Sequence, residues 1–81
     1  FRTWAEEHFP ECEAVGDELK VNSIFTHDDG RHLWCNPSKN AYHCWKSDAH
    51  GNLFDLVSQK TGCSYFEAVS LLANDNSLRT L

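Results

Sequence analysis

From Glu18 onward the chain alternates: Leu19 and Val21 fall on one side of an extended segment, Lys20 and Asn22 on the other. This period of two predicts a strand over 18–25. Asp28-Asp29-Gly30 is a turn signal, and adjacent acids before a glycine read more simply as that turn than as a pair of metal ligands. Alternation resumes over 32–36, with His32 and Trp34 on one face and Leu33 and Cys35 on the other. Asn36-Pro37-Ser38-Lys39-Asn40 makes the next turn, and Ala41 to Trp45 a third strand, so the centre reads as an antiparallel meander. The flanks show helical spacing instead. Trp4, Ala5, His8 and Phe9 share one face of a short helix that Pro10 ends. Residues 10–17 read as an acidic, glycine-containing connection. Asn52 is placed as N-cap of a helix that Gly62 closes, and Ser64-x-x-Glu67 is a capping box. Behind that box Tyr65, Ala68, Val69, Leu72 and Ala73 form an apolar stripe, and residues 74–81 are expected to fray. The predicted fold class is α+β: a small antiparallel sheet of three to four strands against an N-terminal helix and two C-terminal helices. Neither C-terminal helix is long enough to be stable without burying its stripe.

Composition adds limits. Eighty-one residues make one domain, 1–81, with a modest core, and a chain that opens on Phe1 and has no Met is expected to come from a larger protein. The hydrophobic fraction of 41% and charged fraction of 23% are those of a globular chain. No apolar run approaches a membrane span, and no membrane partner is expected. Net charge is −5, which argues against a general polyanion binder, but the acids cluster. Glu6, Glu7, Glu11, Glu13, Asp17 and Glu18 lie together, while residues 30–47 carry Arg31, Lys39 and Lys46 and no acid. Trp34, Tyr42 and Trp45 share that basic stretch. Aromatic faces between cations suit single-stranded nucleic acid, since bases stack and phosphates attract positive charge. A plain strand pair whose aromatics are half core gives the same composition. Cys12, Cys35, Cys44 and Cys63 are separated by 22, 8 and 18 residues, which is no common zinc frame. Without a secretory leader the expectation is a cytoplasmic setting with reduced, packed thiols. No nucleophile beside a base and no phosphate-binding loop stands out, so the domain is expected to be non-catalytic.

One stretch is more specific. Residues 42–57, Y-H-C-W-K-S-D-A-H-G-N-L-F-D-L-V, resemble the core of the N-terminal zinc ribbon of bacterial and phage DNA primases, Y-x-C-F-G-C-G-x-x-G-D/N-x-x-D-F. Phe66-Glu67-Ala68-Val69 and Leu71-Leu72-Ala73 resemble that family's F-x-E-A-V-x-x-L-A helix, and Ser23-Ile24-Phe25-Thr26 falls where it has C-P-F-H. The 17 residues between Thr26 and Cys44 match the family gap, and the resemblance spans about 18–74. It implies a zinc-ribbon-like sheet that touches single-stranded DNA and helps a neighbouring catalytic or helicase domain begin a primer. The departures are in the ligands. The family's Cys-His-Cys-Cys set, which holds zinc tetrahedrally, is matched here by Ser23, Thr26, Cys44 and Ser47. With one thiol left, no zinc is expected, and Ile24 and Trp45 are expected to fill the vacated space. The competing expectation is a shifted site from His27, Cys44, His50 and either Cys35 or His43. Expected DNA contacts are Arg31, Trp34, Lys39, Tyr42 and Lys46. The alternative function is a protein-interaction module that kept the fold and lost DNA and metal binding.

Overall fold

The computed structural model describes residues 1–73; residues 74–81, expected to fray, lie outside the described residues. Helix α1 spans Arg2–His8, followed by strands β1 (Glu13–Val15), β2 (Glu18–Val21), β3 (Leu33–Asn36), β4 (Ala41–Cys44) and β5 (His50–Gly51). Helices α2 (Leu53–Thr61) and α3 (Tyr65–Ala73) follow. The strands form one antiparallel sheet in chain order, β1 to β5. The α+β class and the placement of the helices are as the sequence predicts, whereas the sheet has five strands rather than three or four.

The two extra strands are short and were hidden for that reason. Glu13–Val15 is exposed at every position, so it has no apolar alternation to show. It pairs with β2 across a two-residue turn in which Gly16 takes φ 60°, a left-handed conformation that glycine adopts without strain. β5 is two residues long and closes on β4 through Tyr42↔Gly51 and His43↔His50. Strand β2 ends at Val21, short of the predicted 25, and residues 22–32 form a loop.

One face of the sheet makes the core. Leu19, Val21, Leu33, Cys35, Tyr42 and Cys44 point inward and meet Phe1, Trp4, Ala5 and Phe9 from the N-terminal segment. Leu53, Leu56 and Val57 from α2 and Ala68 and Leu72 from α3 complete it. The helix ends are set by local chemistry. Asn52 Oδ1 accepts the Asp55 N–H at 2.9 Å, and Gly62 ends α2 at φ 77°. Ser64 and Glu67 exchange reciprocal hydrogen bonds of 3.1 and 3.2 Å, a complete capping box. Of the stripe on α3, Ala68 and Leu72 are buried, while Tyr65 and Ala73 stay exposed.

Candidate nucleic-acid interface and the aligned ligand positions

The register of the sheet sets the outer face. Glu13 lies opposite Lys20, Lys20 opposite Trp34, Trp34 opposite His43 and His43 opposite His50. Because directly opposed residues share a face, these side chains form a row across all five strands, on the side away from the helices. Lys20 Nζ sits 4.2 Å from the centre of the Trp34 ring, a cation–π contact. Trp45, just past β4, joins the row: its ring meets Trp34 edge-on at 5.5 Å and His43 edge-on at 4.2 Å. Trp45 is 60% exposed. The sequence reading expected Trp45 to fill the space beside the ligand positions, and it does not. Its parity with His43 turns it outward.

The residues expected to contact DNA are not gathered on one face. Trp34 stands in the outer row, half-buried. Arg31 and Lys46 lie beyond one end of the strands, in the loop and turn that flank Trp45. Arg31 Nε donates to the Glu11 carbonyl, and Lys46 Nζ to the His27 carbonyl at 2.8 Å. Lys39 is in the β3–β4 turn at the opposite end. Tyr42 is the correction. It is only 5% exposed and on the core face, because it alternates in phase with Cys44. Its ring stacks parallel on Phe25 at 5.5 Å and lies against Gly51, where an added Cβ would come within 3.1 Å. No base can reach it. Lys20, His43, Trp45 and His50 take its place on the outer face, and strand parity relative to Leu19 and Cys44 was the signal for them.

At the positions that the sequence resemblance aligns with zinc ligands, Cys44 is fully buried and its thiol is 3.1 Å from Ser23 Oγ, while the Ser47 N–H points at Sγ from 3.4 Å. Burial alone would raise the Cys44 pKa; hydrogen bonds from the Ser23 and Ser47 side chains and the Ser47 and Lys46 amides outweigh it and bring it down to about 7. Thr26 is exposed. One thiol among hydroxyls is a poor match for a cation that takes thiolate, imidazole or carboxylate donors. The shifted site is not assembled either: Cys35 and Cys44 face the core, while His43 and His50 face outward. His43 Nε2 instead contacts Asp48 Oδ1 at 2.9 Å, a contact that, with the His43 charge, holds the exposed Asp48 carboxyl below its ordinary range. Among the described residues no group of three His, Cys, Asp or Glu could hold a metal ion. All four cysteines are free, and burial pushes the Cys35 thiol up.

The loop from Ser23 to His32 is organised by a carboxylate. The Asp28 side chain is fully shielded from solvent. Its Oδ2 accepts the Ser23 and His32 amides and its Oδ1 the Gly30 amide, each at 2.9 Å, and the His32 ring nitrogen Nδ1 lies 2.7 Å from Oδ1. Burial would raise this carboxyl, but the four hydrogen bonds prevail and hold it well below the usual carboxylate range.

With this geometry in place, residues 11–80 match the model of the CHC2 zinc finger, the zinc ribbon of DnaG-type primases. The chain belongs to the CHC2 zinc-finger family. A solved structure of the Aquifex aeolicus primase, comprising its zinc-binding and RNA polymerase domains, is similar at 30% identity and a TM-score of 0.65. The similarity covers 88% of this chain and 18% of that one, so the chain spans about a fifth of the length of that primase structure. No curated protein matches the chain. No helix among the described residues is long and apolar enough to cross a membrane.

Proposed function

We propose that this CHC2 domain is a non-catalytic module of a primase-type replication protein in the cytoplasm, and that it contacts single-stranded DNA with the outer sheet face and without a zinc ion. The observation that carries this reading is the row Lys20–Trp34–His43–His50 with Trp45 beside it. Two indole faces and two imidazoles, bordered by Lys20, Arg31 and Lys46, offer stacking to bases and charge to phosphates without base-edge readout. Lys39, at the far end of the hairpin, would meet a longer strand. So few cations give weak binding alone. Tethering to a neighbouring catalytic or helicase domain raises the effective concentration and makes weak contacts sufficient. Family membership supports the same role.

Chemical-shift mapping with a short oligodeoxynucleotide tests it. Shifts should concentrate on Lys20, Trp34, His43, Trp45, Lys46 and His50, and Trp45→Ala should weaken binding by roughly 1–3 kcal/mol, the worth of one base stack. Shifts confined to the acidic segment 2–18, or none at low salt, would remove DNA from the account. A second reading then takes over, in which the domain docks another protein. Its support is Phe66, 83% exposed on α3 beside Leu71, over a groove shared with His8, Thr61 and Cys63.

A further inference from the structure

The two tryptophans of the outer face are not held by packing alone. The indole Nε1–H of Trp34 donates to the Arg31 carbonyl at 3.2 Å, and the Trp45 amide donates to the His32 carbonyl at 2.9 Å. Both acceptors belong to consecutive residues in the 22–32 loop, so the loop's position sets where both indoles stand. That loop has no regular structure: Ile24 and Phe25 anchor its first half on the core, but Thr26, His27, Asp29, Gly30, Arg31 and His32 are all exposed. The exposed half is held by the shielded carboxylate of Asp28, which gathers Ser23 at the start of the loop and Gly30 and His32 at its end, beside Asn22 Oδ1, which accepts the Arg31 amide at 3.0 Å. Ser23 in turn reaches the strand side, since its Oγ lies 3.1 Å from the Cys44 thiol. Ligands at the positions of Ser23, Thr26, Cys44 and Ser47 would join this loop to the turn after β4, whereas Asp28 joins the start of the loop to its own end. An anion accepting several N–H bonds thus closes the loop from inside.

We propose that Asp28 is a positioning residue: it holds the 22–32 loop closed from within and, through the Arg31 and His32 carbonyls, sets Trp34 and Trp45 edge to face on the outer sheet surface. The functional half of this proposal rests on the DNA-contacting reading above; the structural half does not.

Asp28→Asn is the informative variant, because it keeps the shape but places an amide NH₂ where an N–H must be accepted. Expected are a far-ultraviolet circular dichroism spectrum like the wild type, loss of the near-ultraviolet Trp signal that Trp34→Phe and Trp45→Phe assign to the pair, and a moved Trp34 indole N–H resonance. Affinity for an oligodeoxynucleotide should drop about tenfold, the size of one lost base stack. Asp28→Glu, which retains the charge on a longer arm, should recover part of the Trp signal. An unchanged Trp signal and indole resonance in a folded Asp28→Asn protein overturns the proposal, even if Trp45→Ala still weakens DNA binding. If instead the Trp signal is lost while Trp34→Ala and Trp45→Ala leave DNA binding untouched, the positioning role stands and the DNA reading falls. Should Asp28→Asn fail to fold, amide exchange in the wild type decides. Slow, grouped exchange at Ser23, Gly30, His32 and Trp45 supports the clamp, and exchange at free-loop rates at the first three refutes it.

Discussion

Single side chains decide how this small domain answers pH and crowding. The Asp28 carboxyl is held well below its ordinary value, about 4 in an unfolded chain. A depressed acid contributes stability that is fully present above the unfolded pKa and is lost as pH falls through the folded one. Thermal melts from about pH 6 to about pH 2 should therefore show a falling midpoint below about pH 4, and Asp28→Asn should flatten that part of the curve. An equal slope in both proteins would assign the acid sensitivity to other carboxyls. Gly51 makes a steric statement of the same precision. A methyl there would approach the Tyr42 ring to 3.1 Å, and that ring is buried and stacked on Phe25. Gly51→Ala should cost about 1–3 kcal/mol by overpacking, read from a denaturant midpoint. The Gly-Asn pair before α2 was legible in the sequence as a family feature and a helix start. The reason for the glycine was not, because it lies in a cross-strand neighbour nine positions earlier.

Element by element, what the sequence showed was what local chemistry controls. Asn52, Gly62 and the Ser64–Glu67 box end and begin helices by hydrogen bonds within a few residues, so α2 and α3 could be placed before any tertiary contact was known. Strands β2 to β4 were legible because one face is core and the other is not. β1 escaped because three exposed residues carry no such contrast, and β5 because two residues carry no period. The candidate site was half legible. Trp34, Arg31 and Lys46 were singled out by charge and aromaticity and lie on or beside the outer face, but Tyr42 was assigned by residue type against its strand parity, and Trp45 was assigned to the core against its own. The two aromatics should now part company in a stability measurement. Phe25, half-buried and stacked on Tyr42, should cost about 2–3 kcal/mol on truncation to Ala, whereas the exposed Trp45 should cost under about 1 kcal/mol. Equal losses would mean that Trp45 helps close the core after all.

Across the whole molecule, charge and the proposed metal independence belong to one account. Residues 1–18 set Arg2 against Glu6, Glu7, Glu11, Glu13, Asp17 and Glu18, a net of −5, while Lys20, Arg31, Lys39, Lys46 and Lys60 balance Asp28, Asp29, Asp48, Asp55 and Glu67 over 19–73. The acidity thus sits on α1, β1 and the start of β2, and Asp28 is withdrawn from the surface. A domain clamped by Asp28 and by the Cys44–Ser23 contact should keep its circular dichroism and melting midpoint in a strong chelator. One equivalent of tightly held zinc, or collapse on chelation, would return the fold to metal control. If the fold is metal-free, the salt dependence of DNA binding reports side-chain cations alone. Each phosphate neutralised on a single strand contributes about −0.7 to the slope of log K against log salt, so Lys20, Arg31 and Lys46 together predict a slope of about −2. Lys46→Ala should flatten it by about 0.7 and weaken all sequences alike, since a phosphate contact carries no base information. Trp45→Ala should lower affinity and leave the slope in place. That contrast separates charge from stacking on one surface. A slope near zero in the wild type would mean that the outer face does not meet phosphates, whatever its aromatic rings bind.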